Sequence, residues 1–265
     1  MFRDAIPGME KVFQTEPPEG SIILIIGGPG TLKSTFVYNL IANSMAKKSA
    51  DLTQCIFVSL EETRASILRN IKNIGIEPTE RIQIADMASF LKEIDRGKET
   101  MVSDEEYTEM ILEKASRPLM VLPNREEDIK KITQRNSGQI SAKGKDPADT
   151  PTMKPTIFVL DSLNALNSVI YRASKNIRKE MAHFMFKLRE KSITSFIVME
   201  VGDPKQHKPE HFLVDGIIEF GMMETQPRKF KRYMKVQKMR ATKHSIEPFL
   251  IEVTSEGIKV VEELI

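Results

Sequence analysis

Four stretches of this chain are apolar almost without interruption, and each breaks off at a small or acidic residue. Ile22-Ile23-Leu24-Ile25-Ile26 runs into Gly27-Gly28-Pro29-Gly30. Cys55-Ile56-Phe57-Val58 passes through Ser59-Leu60 into Glu61-Glu62, and Ile157-Phe158-Val159-Leu160 stops at Asp161. Ser195 to Val201 carries the last of them and meets Glu200. Runs with no polar alternation predict strands buried on both faces, as a parallel sheet requires. Between them the period changes. Phe36, Val37, Leu40, Ile41 and Met45 keep helical spacing behind Lys33-Ser34. Helices are also predicted from about Arg64 to Ile74, where Gly75 stops the pattern, and from about Asn176 to Lys191, with Met181, Phe184, Met185 and Leu188 on one stripe. Ile82 to Ala85 adds a short strand. Beyond Val214 the helices cease. Ile217-Ile218, Tyr233 to Met239, Pro248 to Val253 and Ile258 to Val261 read as short strands joined by turns. The fold class is therefore α/β, with a mostly parallel central sheet and an antiparallel C-terminal extension.

Two regions depart from this rhythm. Ile6-Pro7-Gly8-Met9 reads as a turn, and Pro17-Pro18-Glu19-Gly20 punctuates the approach to the first strand. From about Asp95 to Met153 the chain is rich in Glu, Lys, Arg and Asp. Tyr107, Met110 and Ile111 fall on one helical face there, whereas Ser137 to Pro155 is polar and aperiodic. This predicts a charged insertion over 95–153, partly helical and ending in a mobile loop. Its first reading is solvated decoration, its second a surface for a protein partner. No internal repeat is visible, so residues 1–265 read as one domain.

Composition narrows the class. The 265 residues are 40% hydrophobic and 29% charged, as in an ordinary globular chain. A net charge of +2 argues against a protein held on nucleic acid by its overall charge. The single cysteine, Cys55, excludes an internal disulfide and a cysteine-built zinc site, and fits a reducing cytosol. Within Cys55-Ile56-Phe57-Val58 it reads as buried filler. No apolar run reaches transmembrane length, and the N-terminus has no signal-peptide core, so the expectation is a cytoplasmic protein without membrane insertion. The cluster Arg228-Lys229-Phe230-Lys231-Arg232-Tyr233 reads as a hairpin with a charged edge in preference to a nucleic-acid surface.

The chemistry concentrates after the first strand. A glycine-rich turn between a buried strand and a helix directs backbone N–H groups at an anion, and the helix N-terminus adds its positive dipole end. Gly28, Pro29, Gly30, Thr31 and Leu32 form that turn, and Lys33-Ser34-Thr35 opens the helix. In such a cradle Lys33 reaches the outer phosphates of a nucleotide and the Ser34 hydroxyl ligates Mg²⁺. Counted from Gly27, the pattern G-x-x-x-x-G-K-[ST] places a glycine where this chain has Leu32, a side chain costing on the order of 1 kcal/mol if φ there is positive. Asp161 ends an apolar strand, where a phosphate-loop fold supports the metal. Glu61 and Glu62 suit either an attacking water or the N-terminal dipole of a helix. Lys238 and Arg240 are spaced to share one strand face, ready for an anion arriving from outside. His183 has no metal-ligand partner at useful spacing.

Several of these segments, in order, resemble the KaiC-like branch of the RecA/RadA ATPases: Ile6-Pro7-Gly8, Gly27 to Thr35, Val58-Ser59-Leu60-Glu61-Glu62, Leu160-Asp161-Ser162, Asp215-Gly216-Ile217-Ile218, and Val236-Gln237-Lys238-Met239-Arg240-Ala241-Thr242-Lys243-His244 followed by Pro248-Phe249. The 95–153 insertion falls outside the resemblance. It implies a RecA-like phosphate-loop fold and a homo-oligomeric ring, typically hexameric, with Mg·ATP at each subunit interface. It implies that Lys33 and Ser34 hold phosphates and Mg²⁺, that Asp161 supports the metal, and that Glu61 or Glu62 polarises water. Lys238, Arg240 and His244 then approach the neighbouring subunit's nucleotide. The implied activity is slow ATP hydrolysis in a regulatory or signalling role, slow because Leu32 departs from the pattern. The family's clock kinase carries a Ser/Thr pair where this chain has Glu210-His211-Phe212-Leu213-Val214, which argues against autokinase activity. Two rival readings stand beside it: an ATP-sensing scaffold without useful turnover, like the archaellum-motor subunit FlaH, and a RadA-like DNA recombinase, for which no helix-hairpin-helix segment is visible.

Overall fold

The computed structural model describes residues 2–47, 54–86, 156–173, 177–202 and 209–263. The charged stretch 95–153, with Tyr107, Met110 and Ile111, lies outside the described residues, as do Lys48-Ser49 and the loop bearing Pro204, Gln206 and His207. The predicted apolar runs become strands β1 (Ile22–Gly27), β2 (Gln54–Ser59), β4 (Thr156–Asp161) and β5 (Thr194–Glu200), with the short β3 (Ile82–Asp86). Helices are α1 (Met9–Val12), α2 (Lys33–Lys47), α3 (Arg64–Asn73), α4 (Leu163–Ala173) and α5 (Ile177–Glu190). A 3-10 turn at Pro209–Phe212 precedes β6 (Gly216–Gln226), β7 (Lys229–Met239), β8 (Phe249–Thr254) and β9 (Gly257–Glu263).

Among the described residues these strands make one nine-stranded sheet in the order β3-β2-β4-β5-β1-β6-β7-β8-β9. Strands β3 through β6 in that order are parallel, and β7, β8 and β9 add on antiparallel. The sheet explains why β1 has no polar alternation. Ile23 and Ile25 enter one core with Phe36, Val37, Leu40 and Ile41 of α2. Ile22, Leu24 and Ile26 enter a second core with Leu163 and Leu166 of α4 and Met181, Phe184, Met185 and Leu188 of α5. Both faces are covered, so each residue of β1 is buried. Cys55 is a buried free thiol, pushed far up by burial alone, as filler requires.

Three elements differ from expectation. Helix α4 has no predicted counterpart, because its Asn164, Asn167 and Ser168 dilute the helical signal; packing against β5 overrides local propensity. Strand β6 runs on to Gln226, well past Ile217-Ile218. Gly221 in its middle is no interruption: a Cβ there would meet the Tyr233 ring at 2.5 Å, so the glycine makes room for a cross-strand aromatic. The Ile6-Pro7-Gly8-Met9 turn leads directly into α1 and seals the far edge of the sheet. Val260 donates its backbone N–H to the Pro7 carbonyl at 2.9 Å, and a Cβ on Gly8 would lie 2.0 Å from the Val260 oxygen. No helix among the described residues is long and apolar enough to cross a membrane.

Register sets the position of the site. Gly27 at the end of β1 is level with Glu200 on β5 and Phe220 on β6, while Ser59 on β2 is level with Asp161 on β4. The carboxyl ends of the parallel strands therefore open onto one crevice, where α/β sheets bind ligands.

Candidate functional site

The turn leaving β1 is built from backbone that few side chains tolerate. A Cβ on Gly27 would stand 2.1 Å from the Phe220 carbonyl oxygen, and Gly30 holds φ 70°. Leu32 holds φ 71°, so the conditional cost anticipated for it is present. Its carbonyl accepts from Phe36 N at 2.8 Å to start α2, and its side chain packs, partly buried, on the first core. Thr31 Oγ1 and Lys33 Nζ both donate to the Gly28 carbonyl, at 2.8 and 2.7 Å. Nothing within 4 Å would meet a Cβ on Gly28, so the inner wall of the turn is open.

Lys33 is buried. That burial draws its pKa down, while the charges of Glu200, Asp161 and Glu61 pull it back up. Asp161 hydrogen-bonds Ser34 and is raised to about 6, first by burial and then by the charges of Glu61 and Glu62. A cis peptide joins Asp161 to Ser162. The Ser162 hydroxyl donates to Glu61 Oε1, and Leu60 N donates to the Asp161 carbonyl at 2.6 Å, which ties the end of β2 to the end of β4.

The two adjacent acids have different surroundings. Glu61 stands over Ser162 and acts on Lys33. Glu62 turns toward α3, where its Oε2 accepts from Ser66 Oγ at 2.9 Å and Asn70 Nδ2 at 3.0 Å. Lys33, Ser34, Asp161 and Glu61 thus converge on the crevice, beside the amides of Gly28 to Leu32. Pro29 is exposed and Thr35 half-buried within the first turn of α2.

Lys238, Arg240 and His244 are not part of that convergence. Strand β7 runs antiparallel to β6, so Met239 is level with Gly216 and Ile23, whereas Gly27 is level with Phe220 and Met234. The end of β7 is displaced about 13 Å along the sheet from the phosphate loop of its own chain, at about 3.3 Å per residue. Lys238 Nζ donates to the carbonyls of Val214 at 2.7 Å and His211 at 3.2 Å. Arg240 Nη1 lies 3.3 Å from Asp215 Oδ1, and His244 Nδ1 lies 3.0 Å from the Thr242 carbonyl.

Two residues absent from the sequence reading of the site do reach the loop. Glu200 Oε2 lies 4.0 Å from Lys33 Nζ. Its signal is the one Asp161 gives, an acid closing an apolar run. Arg232 Nε donates to the Gly30 carbonyl at 3.1 Å, so the basic hairpin overhangs the crevice at its root. Only the pairing of β6 with β7 brings it there, and no local pattern announces it. Among the described residues no three His, Cys, Asp or Glu side chains are grouped as a metal-only cage. Asp161 beside Ser34 is instead an incomplete oxygen donor set, of the kind magnesium shares with water and phosphate.

The comparisons with known proteins bear on the family and the fold. The family model described as "ATPase: KaiC" matches residues 2–265. A "UPF0273 protein" of Thermotoga maritima is 26% identical over 266 residues, covering 97% of this chain and 94% of its own length. One from Methanocaldococcus jannaschii is 27% identical over 264 residues, covering 97% and 95%. The crystal structure of the KaiC-like protein PH0186 from Pyrococcus horikoshii shares the fold with a TM-score of 0.63, at 22% identity over 97% of both chains. With a glycine-built turn on β1, a lysine and serine opening α2 and an acid closing β4, the chain belongs to the KaiC-like family of phosphate-loop ATPases.

Proposed function

We propose that this chain binds Mg·ATP in the turn between β1 and α2 and hydrolyses it slowly, with Glu61 orienting the attacking water. The observation that carries this reading is the meeting of Lys33, Asp161 and Glu61 at the carboxyl ends of three strands. Phosphoryl transfer asks little covalent chemistry of the protein, so positioned charge and a placed water do most of the work. Backbone N–H groups of Gly28 and of Gly30 to Leu32 take phosphate oxygens, and Lys33 exchanges the Gly28 carbonyl for them. Ser34 and Asp161 suit Mg²⁺ as adjoining hard oxygen donors, and the bound ion would neutralise charge on the outer phosphates. Glu61 is preferred to Glu62 because Glu62 is occupied on α3.

The site is completed by a neighbouring copy in a ring. Lys238 and Arg240 cannot serve their own chain's loop from the far end of β7, and both are cations at a position a neighbour can approach. The left-handed Leu32 supports slow turnover, and slow turnover suits a regulatory output better than a motor. It equally favours the second reading, an ATP sensor that does not turn over. Steady-state phosphate release separates the two. Glu61→Gln is expected to lower the rate by on the order of a hundredfold, while Glu62→Gln leaves it within a few-fold. Wild-type release no faster than that of a variant carrying both Glu61→Gln and Glu62→Gln would give the site to the sensor.

A further inference from the structure

Glu200 is fixed to the phosphate loop more firmly than an exposed acid at a strand end needs to be. Its backbone N–H donates to Asn164 Oδ1 at 2.7 Å, and its carbonyl accepts from Asn164 Nδ2 at 2.9 Å. The next N–H, of Val201, donates to the Gly27 carbonyl at 3.1 Å. These bonds lock the end of β5 to the first turn of α4 on one side and to the loop on the other. The carboxylate they present is 53% exposed, and its ion-pair partner is Lys33 at 4.0 Å. The other acids of the crevice are held elsewhere: Asp161 by Ser34, Glu61 by Ser162, Glu62 by Ser66 and Asn70. Of the charges acting on Lys33, that of Glu200 is the largest, ahead of Asp161 and Glu61.

We propose that Glu200 sets the preference of this site between ATP and ADP, as a fixed negative charge beside Lys33 that opposes a third phosphate. The proposal rests on the reading of the loop as an ATP site. A diphosphate fills the amide cradle, meets Lys33 through its β-phosphate and stops short of the Glu200 carboxylate. A triphosphate extends past Lys33 toward the ends of β4 and β5 and brings its own negative charge up to the carboxylate. The like charges oppose one another across a partly desolvated gap, where the interaction exceeds its value in water. Glu200 therefore weakens ATP relative to ADP and keeps the site from being committed by the triphosphate alone. Because Asn164 grips both backbone groups of Glu200, the carboxylate cannot withdraw by moving its strand.

The test is calorimetric titration of the full chain with Mg²⁺ and either ADP or a non-hydrolysable ATP analogue. Glu200→Gln preserves shape and every backbone bond. It is expected to tighten the ATP analogue by about tenfold and to change ADP by less than about twofold, the gap narrowing in high salt. Glu200→Asp, which keeps the charge, is expected to stay near the wild-type ratio. Equal changes for both nucleotides, or none, overturn the proposal. So does an unchanged pair of affinities with abolished hydrolysis, which would make Glu200 a base for the water. A folded wild type that takes up neither nucleotide overturns the ATP reading and this proposal with it, whereas binding of both with an unmoved ratio overturns the role of Glu200 alone.

Discussion

Leu32 and Asp161 both sit where the backbone or the solvent disfavours them. With φ at 71°, Leu32 occupies a conformation that glycine adopts freely and a Cβ opposes. Its side chain recovers part of that cost against the first core. Leu32→Ala keeps the strain and loses the packing, while Leu32→Gly loses both. Leu32→Gly is therefore expected to be more stable than Leu32→Ala by about 1 kcal/mol, as measured by urea denaturation. Asp161 is raised from 3.8 to about 6, chiefly by burial. A carboxyl whose folded pKa lies above its unfolded value contributes its full stability below pH 3.8 and loses it as pH rises through about 6. At pH 7 the nucleotide-free protein thus carries an ionised buried acid at a cost on the order of 3 kcal/mol. Asp161→Asn is expected to melt higher than wild type at pH 7 without nucleotide, with the difference vanishing near pH 4, and to lose the benefit of Mg·ATP. A constant difference across that range would remove burial of the charge as the cause.

Elements are held together at their ends by a few polar staples, and Asp215 is the chief one below the sheet. Its carboxylate accepts from Ile22 N at 3.0 Å and pairs with Arg189 of α5 and Arg240 after β7, while its own N–H donates to the Ile22 carbonyl at 2.8 Å. Asp215→Ala leaves the Ile22 N–H without its acceptor and is expected to cost about 1–3 kcal/mol. Arg240→Ala, which removes an exposed partner, is expected to cost less than about 1 kcal/mol. Equal losses by chemical denaturation would show that the ion pair, and not the hold on β1, carries the weight. At this scale the sequence was readable where one residue type served one purpose. Ile22 to Ile26 announced a doubly covered strand, and Gly27 to Ser34 announced its turn. Helix α4 was hidden because its asparagines reach other elements, Asn164 gripping Glu200 and Asn167 meeting Glu210. Most of β6 was hidden because Gly221 has its purpose on the opposite strand, in the Tyr233 ring. Both signals lie between elements, where no run of neighbours can display them.

For the whole molecule, the sheet order turns a list of motifs into a geometry. Lys33, Asp161 and Glu61 were legible as a site because Asp161 closes β4, Glu61 follows β2 and Lys33 opens the helix after the turn that leaves β1. Arg232 was legible only once the β6–β7 hairpin stood beside β1, whereas Glu200 carries the signal of Asp161 and only its place beside β1 ties it to the loop. The same pairing carries Lys238 and Arg240 away from the loop they resemble partners of. If they act on a neighbour, rings mixing wild type with Arg240→Ala lose activity at intact subunits that adjoin a variant. Phosphate release that follows only the fraction of intact subunits would contradict action across the interface. The antiparallel return of β7 also has a bearing on architecture. A protomer that receives at one rim of its sheet and lends at the other has a front and a back. If each rim serves a different neighbour, the contact is heterologous, head to tail, and it either closes into a circle or keeps growing as a fibre.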